Sequence, residues 1–182
     1  MLHFKKNKLF FLLIIILVTT YACQEAEYTL DNPSDPENID LEPPALFFHP
    51  PEIDVKKDTV VSVQIYGLEL PPASAAHIKI KYERTILEYV ATEANEFFTG
   101  DNNPVVIDIP ELGILNIYLY YLPDLASNQS QGGTWSLATI YFTTGAEGES
   151  DLDFDTEITV LRDFNNNSVI INEFGQGKIN VD

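Results

Sequence analysis

Cys23 is the residue whose type and position most directly predict a covalent chemistry. It follows a lysine-rich start and an apolar run over residues 9–18, the layout of a bacterial lipoprotein signal whose apolar run is too short to span a bilayer. We expect residues 1–22 to be a signal peptide and the Cys23 thiol to receive a diacylglycerol anchor. Thr20 and Tyr21 depart from the usual residues before such a cysteine, so an ordinary secretory signal cleaved near the same point is the alternative. Both place the protein outside the cytoplasm.

Three aspartates at alternate positions come closest to the spacing of an acid/base pair. They are Asp151, Asp153 and Asp155. On one strand, residues two apart point the same way and do not face each other across a cleft. We therefore predict a solvated acidic strand and no enzymatic activity.

Metal-binding patterns are equally weak. After the signal peptide the chain has two histidines, His49 and His77, and with Cys23 committed to the anchor they cannot complete a zinc site. Residues 163–167 contain several oxygen ligands but lack the glycine and the distal glutamate of an EF-hand, so we predict a plain loop. Phosphate-binding and nucleophile-elbow motifs do not occur. We expect no cofactor and no metal.

The charge of the chain limits its partners. The 182 residues have a formal net charge of −18, and removal of residues 1–22 leaves seven basic against twenty-eight acidic side chains. Such a surface repels nucleic acid and anionic lipid, so we expect no nucleic-acid binding and membrane contact only through the anchor. Because Cys23 is the single cysteine, stability has to come from a hydrophobic core.

Residues 23–44 have the composition of a tether. After Cys23 they contain seven carboxylates, four prolines and no basic residue, which favours an extended, unfolded linker. Gln24 stands where aspartate is associated with retention in the inner membrane. We therefore expect the protein at the outer membrane or the cell surface, and leave open which side of the membrane it faces.

From residue 45 the pattern is that of β-strands throughout. Alternating apolar runs are separated by Gly, Pro and Asn/Asp clusters, with one short helix around residues 93–98. Nine strands in residues 45–182 predict an all-β, antiparallel two-sheet sandwich. The predicted strands are 45–49, 60–66, 76–82, 87–91, 104–109, 114–122, 136–144, 151–161 and 178–181.

Four motifs in order resemble the cohesin family. They are the turn and strand of residues 56–69 (starting Lys-Lys-Asp-Thr), residues 82–88 (Tyr-Glu-Arg-Thr-Ile-Leu-Glu), residues 137–142 (Leu-Ala-Thr-Ile-Tyr-Phe), and a last motif made of the loop 163–167 and the final strand 177–181. Arg84 stands where proline is common in the family. The resemblance implies a nine-stranded jelly-roll sandwich, akin to carbohydrate-binding modules, whose role is binding.

Alternation within the strands predicts one solvent face. In cohesins, strands eight, three, six and five lie side by side and form the dockerin-binding sheet. On that resemblance, residues 151–161, 76–82 and 114–122 place a carboxylate row beside a lysine row beside a tyrosine row, where unlike charges stabilise the pairing. The same face could also be a merely solvated surface. The candidate partner-binding residues are His77, Lys79, Lys81, Asn116, Tyr118, Tyr120, Asp151, Asp153 and Asp155.

Two functions remain. The first is a monomeric, membrane-anchored, non-catalytic module that captures a dockerin-like or other extracellular protein, in assemblies that degrade polysaccharide. The alternative is direct polysaccharide binding, with Tyr118, Tyr120 and Trp135 as stacking platforms. The mixed charge and aromatic character of the predicted face favours the first.

Overall fold

Two β-sheets make up the described part of the chain, and their strands begin and end close to the predicted apolar runs. The computed structural model describes residues 39–98, 104–122 and 131–182. The predicted signal peptide, Cys23 and most of the predicted linker therefore lie outside the described residues. Within those described ranges no helix is long and apolar enough to cross a bilayer. The strands are β1 (Ala45–His49), β2 (Glu52–Val55), β3 (Val60–Ala73), β4 (Ala75–Lys81), β5 (Leu87–Ala94), β6 (Val105–Glu111), β7 (Ile114–Tyr120), β8 (Gln131–Thr144), β9 (Gly148–Phe154), β10 (Val160–Arg162), β11 (Ser168–Val169), β12 (Glu173–Phe174) and β13 (Gly177–Val181).

The strand order confirms an all-β sandwich. One sheet has the order β12-β1-β3-β8-β5, and the other contains β11-β10-β4-β9-β13-β2, with β7 pairing β4 and β6 pairing β7. The sheets are mixed and not purely antiparallel, because β1 pairs β12 and β2 pairs β13 in parallel. Thirteen strands in the described residues replace the nine expected. One cause is the pair Pro50 and Pro51, which interrupts the chain so that β1 and β2 join different sheets.

The core lies between the two sheets. Phe48 of β1 stacks on Phe154 of β9 with ring centroids 4.3 Å apart. The predicted short helix is a single 3₁₀ turn, Glu96–Phe98, which buries Phe97 and Phe98 completely. Other fully buried members of the core are Leu46, Ile65, Ile78, Ile80, Leu115, Ile117, Leu119, Leu137, Ala138, Ile140, Phe142, Leu161 and Ile179.

Gly177 lets the last strand enter the sheet close to the aromatic core. A Cβ atom at this position would lie 2.8 Å from Cβ of Phe48. Any larger residue would push β13 away from β1, since buried atoms are already close-packed. The glycine that begins the segment 177–181 of the resemblance therefore has a packing role.

Packing begins before the predicted start of the domain. Ile39 and Leu41, inside the predicted linker, pack against a small cluster of Ala45, Phe47 and Leu68. The backbone N–H of Glu42 also donates to Glu173 Oε2 at 2.6 Å. The last residues of the predicted linker therefore lie against the five-stranded sheet.

Candidate functional site

The predicted alternation in β4 and β7 is confirmed. On β7, Leu115, Ile117 and Leu119 are fully buried, whereas the intervening Tyr118 and Tyr120 are partly exposed. On β4, Ile78 and Ile80 are fully buried and the residues between them point outward. A register shift of one residue would have reversed both sets.

His77 and Tyr118 form an aromatic pair at the centre of this outward surface. They lie directly opposite each other on β4 and β7. Their ring centroids are 4.2 Å apart and their planes differ by 16°. His77 Nε2 is also 3.2 Å from Asn116 Oδ1, within hydrogen-bond distance. Both contacts restrain the orientation of the His77 ring.

Tyr120 borders a shallow hollow at the end of the same strands. It lies opposite Ala75 on one side and Val105 on the other. The hollow has a volume of about 180 Å³, and its wall also includes Val160 and Arg162 of β10. It could hold one side chain of a partner.

Asp155 joins the two predicted lysines. Its carboxylate lies 3.2 Å from Lys79 Nζ and 3.4 Å from Lys81 Nζ, and its side chain is only 15% exposed. Burial alone would raise the pKa of Asp155, but the hydrogen bonds and charges of both lysines outweigh it and hold that pKa below its usual value. Asp155 therefore fixes the lysine ends and partly cancels their charge.

The predicted strand 151–161 is wrong as a single element. The N–H groups of Ile158 and Thr159 both donate to the Asp155 carbonyl, which makes a turn between β9 and β10. The turn changes the phase of alternation: the inward residues are even-numbered before it, as in Leu152, and odd-numbered after it, as in Leu161. A single strand would have placed Glu157 outward beside the three aspartates, but it lies in the turn.

The two remaining aspartates of the predicted row have different neighbours. Asp153 lies opposite Lys81, beside the lysine strand as predicted. Asp151 lies opposite Lys178 of β13, with 3.7 Å between its Oδ1 and Lys178 Nζ. The expectation that the whole row faces β4 therefore holds for Asp153 and Asp155 but is wrong for Asp151.

Two exposed isoleucines that strand alternation does not predict complete this surface. Ile107 and Ile109 of β6 lie opposite Tyr118 and Asn116 and remain 43% and 46% exposed. The Tyr89 hydroxyl donates to Asp108 on the other side of β6, which ties this edge strand to the second sheet. We call the outward side of β9, β4, β7 and β6 the outer face. It comprises Ile107, Ile109, Asn116, Tyr118, Tyr120, His77, Lys79, Lys81, Asp153 and Asp155.

Other candidates lie elsewhere or are already engaged. Asp163 accepts hydrogen bonds from the N–H groups of Asn165 and Asn167 and from the Asn167 side chain. The bonds from Asn167 lower the pKa of Asp163 most, followed by the one from Asn165. This carboxylate is therefore engaged in hydrogen bonds within its own loop. Trp135 belongs to β8 in the opposite sheet, where its Nε1 donates to the Gly132 carbonyl at 3.2 Å.

Comparison with known proteins identifies the fold. No protein-family profile and no curated protein sequence matches the chain. Among solved structures it is similar to the sixth cohesin of scaffoldin B from Acetivibrio cellulolyticus, which was solved in complex with a Cel5 dockerin. The match has a TM-score of 0.64 and a sequence identity of 16%, and it covers 76% of this chain and 98% of that cohesin chain.

Two further structures agree. A type II cohesin from the cellulosome of Acetivibrio cellulolyticus gives a TM-score of 0.64 at 19% identity, over 75% of this chain and 94% of that one. A non-cellulosomal cohesin from the archaeon Archaeoglobus fulgidus gives a TM-score of 0.61 at 13% sequence identity, over 76% of this chain and 90% of that one. At these identities the similarity establishes architecture and not the ligand. The chain has the fold of the cohesin domains.

Proposed function

We propose that this protein is a non-catalytic binding module that captures a dockerin-like protein through its outer face. The observation that carries the proposal is the composition of that face. One ordered surface combines a stacked aromatic pair, two exposed isoleucines and a fixed lysine–aspartate cluster. Protein interfaces commonly combine aromatic and apolar anchors with charged residues at the margin. Several cohesins of the same fold were solved in complex with dockerins, which supports the same class of partner here.

The geometry favours a protein partner over a polysaccharide. A sugar ring stacks on an open aromatic face, but His77 covers one face of the Tyr118 ring. Trp135 lies in the opposite sheet and cannot extend a platform with Tyr118 and Tyr120. The outer face therefore offers no row of three aligned aromatic rings among the described residues.

The ionisable groups support a role without catalysis. Asp155 is held in its charged form by two lysines, which is unsuitable for a general acid near neutral pH. In the described part of the chain no group of three or more His, Cys, Asp or Glu residues could hold a metal ion. We propose recognition without catalysis as the activity and a monomer as the oligomeric state.

The anchor and the location complete the proposal. A lipid on Cys23 would attach the protein to the outer membrane, and the acidic residues that follow would space the domain from it. A captured module would then be retained at the cell surface. Retaining proteins of a polysaccharide-degrading assembly is the role that fits such an arrangement.

A display experiment tests the proposed partner class. The full chain, purified in nonionic detergent, is presented to a displayed panel of modules with paired Asp-x-Asn-x-Asp-Gly loops, and separately to soluble polysaccharides. We expect binding to at least one module, and a loss of at least about tenfold in affinity for Tyr118→Ala, as expected for an interface anchor.

Tyr141→Ala is the matched control, since Tyr141 lies on β8 in the opposite sheet. It should bind like the unaltered chain. Polysaccharide binding without any module binding would replace the proposal with the carbohydrate function. Equal losses for Tyr118→Ala and Tyr141→Ala would remove the outer face as the site.

A further inference from the structure

Beyond the outer face, the outward side of the same sheet continues into a strongly acidic region. Across β9, β13 and β2, Asp151 lies opposite Lys178, which lies opposite Glu52; Glu149 lies opposite Asn180, which lies opposite Asp54. Together with Asp153, which this region shares with the outer face, this gives five carboxylates and one lysine on adjoining strands. We call this region the acidic half of the sheet: Glu52, Asp54, Glu149, Asp151, Asp153, Lys178 and Asn180.

The acidic half has fewer hydrogen-bond donors than acceptors. Lys178 Nζ already lies 3.3 Å from Glu149 and 3.7 Å from Asp151. The Asn180 amide donates to both Glu52 and Asp54 at 2.8 Å. Its own carbonyl oxygen is buried and receives no hydrogen bond from any described residue. The Gln176 side chain donates to Asp153 Oδ1 at 2.6 Å. Five carboxylates still outnumber these three donor side chains, so further hydrogen bonds to them have to come from solvent or from a partner.

The opposite half of the sheet has the reverse character. The outward side of β7 and β6 presents Tyr118, Tyr120, Ile107 and Ile109, with Glu111 the only carboxylate outward there among the described residues. Lys79 and Lys81 lie between the halves, where Asp155 neutralises part of their charge. From β2 to β6, the surface therefore changes from anionic and acceptor-rich to apolar and aromatic.

We infer that the partner is a protein module whose docking surface is cationic at one end and apolar at the other, and that it docks in a single orientation. The inference rests on the proposed function and adds the chemistry of the partner. Lysine or arginine side chains placed over Glu149 and Asp151 supply the missing donors and neutralise the carboxylates. Apolar side chains at the other end cover Ile107 and Ile109. A reversed module would place charged groups on the isoleucines and apolar groups on the carboxylates, and both contacts desolvate polar groups without pairing them.

Neutralising the acidic half tests this. The double variant Glu149→Gln/Asp151→Asn is compared with Glu69→Gln/Glu88→Gln, which removes the same charge from exposed positions of the five-stranded sheet. Each full-length protein is measured against net-basic and net-acidic modules with paired Asp-x-Asn-x-Asp-Gly loops. We expect net-basic modules to bind selectively. The first variant should reduce their association rate constant by about three- to tenfold at about 50 mM salt, and by less than about twofold at about 0.5 M, because screening removes steering. The control should change it by less than about twofold.

The outcomes separate the inference from the function on which it rests. If net-acidic modules bind as well as net-basic ones, or if both double variants slow association equally, the charge inference is overturned. The proposed function still stands in that case, provided that Tyr118→Ala weakens binding by at least about tenfold. If no module of either set binds, the proposed function fails and the inference fails with it.

Discussion

The stacked pair of His77 and Tyr118 allows the order of the outer face to be measured without a partner. A double-mutant cycle with His77→Ala and Tyr118→Ala isolates the free energy of their contact. The hydrogen bond between His77 and Asn116 is lost whenever His77 is replaced, whether or not Tyr118 is present, so its contribution cancels from the coupling energy. The ring centroids are 4.2 Å apart and the ring planes are 16° from parallel. Stacking should therefore add about 0.5–1.5 kcal/mol to the free energy of unfolding, in addition to the contribution of the buried area. We expect each single variant to lower the free energy of unfolding by about 1–2 kcal/mol. The double variant should lower it by less than the sum of the two, and the difference is the coupling energy.

The assay is equilibrium urea unfolding of the four proteins at one pH, with the slopes compared to check two-state behaviour. The control cycle pairs His77→Ala with Tyr120→Ala. Tyr120 lies opposite Ala75 and not opposite His77, so this cycle should give a coupling below about 0.3 kcal/mol. Coupling energies that are equal in the two cycles, or zero in both, would refute the argument that the stack orders the face.

Three further predictions concern the anchor, the domain start and the acid response. Cys23→Ala should move the protein from the detergent-soluble membrane fraction to the soluble fraction, since a lipid supplies about 0.8 kcal/mol per buried methylene; equal retention of both forms contradicts acylation. A fragment of residues 39–182 should be more stable than one of residues 45–182 by about 1–3 kcal/mol in urea unfolding, because the shorter one loses Ile39 and Leu41 from the cluster around Phe47; equal midpoints would show that the contact contributes nothing. Because the pKa of Asp155 is lowered in the folded state, its stabilisation exists above the usual aspartate pKa and is lost as the pH falls through the lowered value. Asp155→Asn should therefore flatten the decline of the urea midpoint between about pH 5 and pH 2, and an unchanged decline would exclude a role for this carboxylate.

The sequence was sufficient for β4 and β7 because each strand buries one face completely. Ile78 and Ile80 on one strand, and Leu115 and Leu119 on the other, mark the inward side with a strict period of two. Their outward neighbours, including His77 and Tyr118, were therefore assigned to solvent correctly. Their direct pairing needed the strand order, which came from the resemblance and not from periodicity.

Two features escaped prediction for physical reasons. Residues 152–160 keep an alternating pattern through Thr156 and Ile158, so nothing in the pattern marks the turn at which the inward side changes. In β6, apolar residues occupy both faces of a strand at the edge of its sheet, and the outward pair of Ile107 and Ile109 looks like core until the register is known. That Asp151 pairs with Lys178 depends on β13, which is distant in sequence and could not be assigned by alternation.

The turn between β9 and β10 has a consequence for how this surface can vary in evolution. One end of β4 is hydrogen-bonded to β9 through Lys81, and the other end is hydrogen-bonded to β10 through His77. β9, before the turn, and β10, after it, therefore each keep their own register on β4. Residues added between Thr156 and Ile158 would lengthen a loop beside Lys79 and would not shift either ladder. Lineages carrying this fold could therefore change the shape and chemistry at the margin of the surface by insertion, while the stacked pair and the lysine cluster keep their positions.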